Sequence, residues 1–429
     1  MKPLPLTFAL ALCTSSVFCQ LTIDPQLAAA IARIKAIDNH AHPVRVTGAN
    51  EKDTDYDALP VEVMEPYTDP LRSRPGNLDV LAASRALFGG LTGGPQARQK
   101  LKQEKGDAYP ALILDRLGIE TMLANRVSMG RGMASPRFLW VPFADALMYP
   151  LNTSLNQSNL AAKNPDYKAF YEDEDRLLRR YLIDAGYIKA PASFDEYLQK
   201  VVTVTLEQHK KGGAVAEKFE AAYLRSLDFG DPPKAEAERV YGLSKPGNAE
   251  YKVLQDFLFR YIARECGRLG MAVHLHAAAG AGGYFHIGGA NPLLLESVLN
   301  DPTLRKTNFV LIHGGWPFTR EMTALLQKPN AYADFSEQTF FNYPREVAQV
   351  IRAWLEFAPE KVLFATDAYP FSEEMSWEEA GWLASRTGRQ ALGLALTGML
   401  RDGEITRARA IELAKMVLRD NARKLYGLP

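Results

Sequence analysis

The chain has only three cysteines in 429 residues, and two of them, Cys13 and Cys19, fall in an apolar leader. The chain beyond the leader keeps Cys266 alone, so no internal disulfide can staple it and stability has to come from core packing. Cys266 lies in the helical stretch YIARECGRLG without a thiol neighbour and reads as a small buried apolar residue. Net charge is missing too, because 50 basic residues meet 50 acidic ones. A balanced chain has no single-sign field with which to gather nucleic acid or an anionic membrane surface. No apolar run is long enough to span a bilayer. Histidine is scarce as well, seven in all, and its placement is the most telling feature of the sequence.

Six of the seven histidines fall in three places: AIDNHAHP, AVHLHAAAG with its downstream FHIGG, and FVLIHGGWP. Asp367 comes later, in LFATDAYP. Each segment is a short apolar run that ends in a metal-ligand residue type, as a strand looks when it delivers a side chain to one end of a barrel. Neutral imidazoles joined by a carboxylate suit a borderline-soft divalent cation. The pattern points to a metal-dependent enzyme.

At the N-terminus Lys2 precedes LPLTFALALCTSSVF, an apolar stretch followed by small and polar residues. Residues 1–19 therefore read as a signal peptide, cleaved near Cys19 or Gln20, which sends the chain to a secreted or periplasmic location. A lipidated Cys19 would want a small residue before it, where Phe18 stands. Residues 20–429 read as one elaborated domain, a length that α/β barrels with insertions reach.

Short β-rich runs alternate with longer helical ones, which implies parallel strands joined by crossover helices. The eight strands are IKAIDNH, ETMLAN, FLWVPF, GAVAEKF, MAVHLH, NFVLIH, AYADFS and VLFATD. Helices are expected in FDEYLQKVVTVTLEQHKKG, EYKVLQDFLFRYIARECGRLG, PREVAQVIRAWLEFA and LLLESVLN. The fold class is α/β, a (β/α)8 barrel with a helical insertion after strand 1, over about 44–112, and C-terminal helices. The charged helix YEDEDRLLRRYL reads as a solvated face with local ion pairs. In the last helix Ile411, Ala414, Leu418, Ala422 and Leu425 share one face, which should dock on the barrel.

Asp38, His40 and His42 are spaced by two, so on a strand they project to one face and both imidazoles reach the same point. His274 and His276 repeat the device; His276, nearer the strand end, is assigned to the metal and His274 to a supporting or packed position. His313 stands before a Gly-Gly turn, as a ligand or as a catalytic group bonding a metal-held oxygen. Asp367 ends an apolar run in which an unpaired carboxylate would be costly to bury, so it is expected as ligand and catalytic base. Lys218 could bridge two metals if carbamylated, with Glu217 and Glu220 competing for the inward position. Substrate contacts are expected from the loops at the mouth: Arg126, His286 and Trp316, with Arg131, Tyr284 and Tyr369 as further candidates.

Taken together, DNHAH at the first strand, Lys218 at the fourth, HLHAAAG at the fifth, FVLIHGGWPF at the sixth, ATDAYPF at the eighth and the closing DNARKLYGL resemble the amidohydrolase superfamily, most closely its amidohydrolase-related group. The resemblance runs from about Ile34 to Leu428. It implies a (β/α)8 barrel with His40, His42, His276, His313 and Asp367 at a metal site, usually zinc, and Lys218 as bridging carboxylysine where two ions bind. The D-x-H-x-H opening at Asp38 is shared with mononuclear decarboxylases, so one or two ions stays open. The expected function is hydrolysis of an amide, ester or related carbonyl bond of a small substrate, with Asp367 taking a proton from the attacking water. The alternative is non-oxidative decarboxylation of a small carboxylic acid. The partner is a small molecule, and association into a homo-oligomer stays open.

Overall fold

The computed structural model describes residues 22–48, 51–59, 70–74, 76–89, 94–151, 165–283 and 285–429. The leader expected over residues 1–19 lies outside the described residues.

All eight expected strand segments form strands: β1 (Ala36–Ala41), β2 (Ile119–Asn125), β3 (Phe138–Val141), β4 (Ala216–Phe219), β5 (Ala272–His276), β6 (Phe309–Ile312), β7 (Ala331–Asp334) and β8 (Val362–Leu363). Neighbours pair in chain order and every pair is parallel. Main-chain hydrogen bonds also join β3 to β4, from Val215 N to Trp140 O at 3.0 Å and from Lys218 N to Pro142 O at 2.7 Å. The ring closes between the first and last strands, where Asn39 N donates to Phe364 O at 3.0 Å, Asp367 N to His40 O at 2.8 Å and His42 N to Ala368 O at 2.9 Å. The fold is thus a closed (β/α)8 barrel.

Closure has a packing signature. Ile37, Leu123, Val141, Ala216, Ala272, Val310, Ile312 and Leu363 make one buried cluster, with Tyr332 of β7 against it. Side chains from all eight strands can meet only inside the ring, so the interior is a filled core rather than a pore. Ala422 joins the same cluster from the C-terminal helix, with Leu425 and Tyr426 packed beside it. That helix therefore plugs the end of the barrel opposite the strand C-termini, the docking expected from its apolar face.

Outside the ring, α1 (Pro25–Arg33) precedes β1, and α2 (Leu78–Phe88), α3 (Gly94–Lys105) and α4 (Tyr109–Leu117) lie between β1 and β2. Residues 126–137 pass from β2 to β3 as a loop. Then come α5 (Pro165–Asp184) and α6 (residues 194–211, with a π segment at Tyr197–Val202), both before β4. The remainder are α7 (Lys234–Tyr241), α8 (Asn248–Leu269), α9 (Thr319–Leu325), α10 (Gln338–Phe341), α11 (Pro344–Phe357), α12 (Trp377–Arg401) and α13 (residues 407–426). The LLLESVLN segment is tighter than the helix expected of it: a 3-10 turn at Pro292–Leu295 leads into a single α-turn at Glu296–Leu299. Glu379 completes a capping box at the start of α12 and also receives both of its 2.8 Å hydrogen bonds from Arg98 of α3. This buried pair fastens the segment between β1 and β2 to the C-terminal half. Among the described residues no helix is long and apolar enough to cross a membrane.

Candidate metal centre

The C-terminal ends of the strands converge on a cavity lined by His40, His42, Lys218, His276, His313 and Asp367. Asp38 pairs with Met122 and Ala41 with Ala124, so three residues of β1 advance against two of β2 and the strand bulges. The bulge breaks simple alternation. Asp38 turns to β8, where its carboxylate accepts from the main chain of Thr366 at 2.8 Å and from its hydroxyl at 2.5 Å. His40 and His42 both reach the cavity with ring centroids 5.0 Å apart. His276 ends β5 and His313 follows β6, and their ring centroids are 4.6 Å apart. His313 also lies 5.1 Å from the ring of His40.

Asp367 faces this group from beyond β8. Its carboxylate is 3.1 Å from Nε2 of His40, 3.7 Å from Nε2 of His42 and 4.0 Å from Nδ1 of His313. Among the described residues three non-glycines have positive φ: His313 at 66°, Glu337 at 57° and Asp367 at 53°. All three line the cavity. Each such backbone costs on the order of 1–3 kcal/mol, a strain that persists where surrounding structure over-determines it and that concentrates at functional sites.

Buried partners hold the imidazoles. The side-chain amide of Asn125, at the end of β2, is 2.6 Å from Nδ1 of His40. Ser336 Oγ is 2.8 Å from Nδ1 of His313 and 2.5 Å from Asp334 Oδ1, which also accepts from the main chain of His313 and of Ser336 at 3.0 Å each. His274 stays lower in the barrel, 2.7 Å from the hydroxyl of Tyr426, which also bonds Asn39. It supports rather than lines the cavity.

Lys218 points inward. Its Nζ is 3.5 Å from Nε2 of His40 and 3.5 Å from Oε1 of Glu220, whereas Glu217 turns outward to His209 of α6 at 3.0 Å. Three sets of donor atoms gather within 4.8 Å of one another: His40, His313 and Asp367; His276, His313 and Glu337; and His42, Asp57 and Glu220.

The electrostatics favour ligation. Burial, with the Lys218 ammonium adding to it, holds His40, His42, His276 and His313 well below the ordinary imidazole range and therefore neutral. A neutral imidazole is the ligand form. Burial pushes the Asp367 carboxyl up to about 7 against the pull of Lys218, and pushes Glu337 and Asp57 well above the carboxylate range. Carboxylates gathered so closely in a buried cavity are relieved by a cation. Neutral nitrogens and carboxylate oxygens within one ion's reach form the donor set such a cation needs, so the residues present fit a divalent metal.

Four of the expected substrate contacts, Arg126, His286, Trp316 and Arg131, are not at this cavity. Arg126 is fully buried, its guanidinium gripping Asp53 through two hydrogen bonds of 2.8 and 2.9 Å and donating to the carbonyls of Pro43 and Ser128. The bidentate carboxylate it was expected to hold is one from its own chain. His286 is exposed, just before a short 3-10 helix at Ile287–Ala290. Trp316 lines a separate depression with Arg320 and Thr323, its ring 5.6 Å from Phe341, which does line the cavity. Arg131 is exposed and pairs with Asp107 at 3.1 Å. Tyr369 does reach the cavity, 5.3 Å from the ring of His42, and Tyr284 lies outside the described residues.

Sequence reasoning missed Glu337, Asp57 and Asn125. Glu337 and Asn125 had a signal in standing at a strand's C-terminal end, where barrel sites collect their residues. Asp57 had none, since it sits in an aperiodic stretch after β1.

Comparison with known proteins agrees with this geometry. The amidohydrolase family model matches residues 226–428. Protein fluG of Emericella nidulans is 32% identical over 142 residues, which amount to 32% of this chain and only 15% of that protein. Among solved structures, a Lactobacillus casei protein provisionally assigned as a metal-dependent hydrolase superposes with a TM-score of 0.62 at 16% identity, covering 95% of this chain and 98% of that one. Uronate isomerase of Thermotoga maritima superposes with a TM-score of 0.59 at 14% identity, covering 94% and 96%. At such identities these structures share the fold. The stretch that matches the amidohydrolase family model, residues 226–428, carries His276, His313, Glu337 and Asp367.

Proposed function

We propose that the protein is a metal-dependent hydrolase that cleaves an amide, ester or related carbonyl bond of a small substrate. The observation that carries this reading is the convergence of His40, His313 and Asp367 donor atoms within 4.8 Å, with His276 and Glu337 sharing His313 beside them. These residues would hold the cation, zinc being the ion best suited to imidazole-rich donors. Bound there, it supplies Lewis acidity and lowers the pKa of a coordinated water.

The chain's own residues supply the rest. Asp367 is the carboxylate that meets three imidazoles, which suits it to take the proton of the attacking water and return it to the leaving group. Tyr223, Phe340, Phe341, Tyr369 and Phe371 wall the cavity and keep bulk water from the reacting carbonyl. The lining sets Asp57, Glu220, Glu337 and Asp367 beside Lys218. Export through the leader at residues 1–19 belongs to the same proposal and is tested by sequencing the mature N-terminus.

The test is a panel of neutral amides, esters and lactones, with small carboxylic acids alongside, offered to the metal-loaded protein. Cleavage of a carbonyl substrate is expected, abolished by Asp367→Asn while the cation is retained. Carbon dioxide release from an acid without any carbonyl cleavage would overturn the reading.

A further inference from the structure

The closing segment DNARKLYGL supplies nothing to that hydrolysis, yet it reaches the barrel interior. α13 slips into a π turn at Met416–Asp420, and the Val417 carbonyl accepts from Phe364 N, just after β8, at 3.0 Å. Asn421 adds two 2.8 Å bonds from its side-chain amide to the carbonyls of Pro359 and Val362. Docking of the helix is therefore secured before Tyr426 is reached. The Tyr426 hydroxyl is left for another use.

That hydroxyl lies between two fully buried side chains. It donates to Oδ1 of Asn39 and stands 2.7 Å from Nε2 of His274. The Asn39 amide is oriented at its other end, where Nδ2 donates to Oδ2 of Asp334 at 3.1 Å, so Oδ1 can only accept. A phenol has one proton, and here it goes to Asn39. Nε2 of His274 must then carry the imidazole proton that meets the Tyr426 oxygen. Nδ1 of His274 has no partner, so no other contact opposes that tautomer. Every donor along the path points one way: His274 to Tyr426, Tyr426 to Asn39, Asn39 to Asp334. The other oxygen of Asp334 accepts from the main chain of His313 and of Ser336 at 3.0 Å each. One buried carboxylate is thus shared by the C-terminal helix and by His313 of the metal centre.

We infer that Tyr426 is a positioning residue for the metal centre: its hydroxyl locks the Asn39 amide, which holds Asp334 in the orientation that fixes His313. Aligned hydrogen bonds in a buried chain polarise and strengthen one another. Without the hydroxyl, Oδ1 of Asn39 and Nε2 of His274 lose their partner, and the amide loses the contact that keeps Nδ2 on Asp334. The C-terminal helix, on the far side of the barrel from the cavity, thereby tunes how tightly the ion is held. The inference deepens the metal-dependent reading and rests on it for the ion.

The experiment measures zinc affinity of the full-length protein by competition with a chromophoric chelator, with thermal unfolding followed in parallel. Tyr426→Phe should unfold as cooperatively as wild type and bind zinc roughly three- to tenfold more weakly, less than the roughly 10- to 100-fold of a partner bonded to the ligand itself. Asn39→Leu should lose at least as much. Adding Tyr426→Phe to Asn39→Leu should cost no further affinity, because Asn39 links Tyr426 to Asp334. A tyrosine that merely supports the fold would instead give losses that add. Nitrogen NMR spectra of the ion-free wild type should place the His274 proton on Nε2. Three results would overturn the inference: unchanged affinity in Tyr426→Phe, the same loss repeated in the Asn39→Leu background, or a His274 proton on Nδ1. If a variant does not fold, the wild-type spectrum decides alone. Failure of the wild type to bind zinc would instead refute the metal-dependent reading itself.

Discussion

Nδ1 of His313 stands 2.8 Å from the hydroxyl of Ser336, and that hydroxyl stands 2.5 Å from Oδ1 of Asp334. A hydroxyl has one proton to give. Donated to the Asp334 carboxylate, it leaves Ser336 Oγ an acceptor, so the ring proton of His313 sits on Nδ1 and Nε2 is bare. β7 thus sets the tautomer of a residue delivered by β6.

Ser336→Ala should therefore loosen the cation without dismantling the barrel. Outer partners of metal-bound histidines are worth roughly 10- to 100-fold in affinity. We expect a loss in that range by competition with a chromophoric chelator, with circular dichroism unchanged. Undiminished affinity would show that Ser336 does not orient His313.

Cation affinity should fall with acid. In the ion-free chain Asp367 holds its proton up to about 7 and Glu337 is held well above the carboxylate range, so below pH 7 the cation must displace at least one proton. The affinity should drop at least roughly tenfold per pH unit as pH falls from 7 to 5.5, on the linkage of one or more displaced protons. His40, His42, His276 and His313, held well below the ordinary imidazole range, add nothing in that window. Asp367→Asn should reduce the slope by one proton per ion; an unchanged slope in that variant would assign the titration elsewhere.

Arg126→Met tests where that guanidinium acts. Its removal leaves Asp53, itself 9% exposed, with only the partly exposed Arg45, 3.5 Å away, as counter-charge, a loss on the order of 3 kcal/mol. A large fall in the urea midpoint is expected, with KM of the folded fraction unchanged. A stable variant with a raised KM would return Arg126 to the substrate.

The strands were legible because a buried parallel strand leaves a compact apolar run, as in Phe309–Ile312, and its ligand stands at the end of that run. His40, His42, His276, His313 and Asp367 were singled out that way, and all five line the cavity. The misses have physical causes. A side chain such as Arg126 declares its charge in sequence but not its partner, and Asp53 lies 73 residues away. The bulge at Asp38 removes that carboxylate from the face that even spacing predicts, because spacing cannot report a register shift. Asp57 reaches the cavity from a stretch without periodicity, where no face can be assigned.

The most direct test is the metal content of purified protein by elemental analysis, in wild type and in a His40→Ala, His313→Ala double variant with its thermal unfolding measured in parallel. The account predicts at least one divalent cation per chain in wild type, lost from the centre of His40, His313 and Asp367 in a variant that still unfolds cooperatively. A wild-type protein that holds no divalent cation after loading, or a double variant that keeps its full complement, would contradict it.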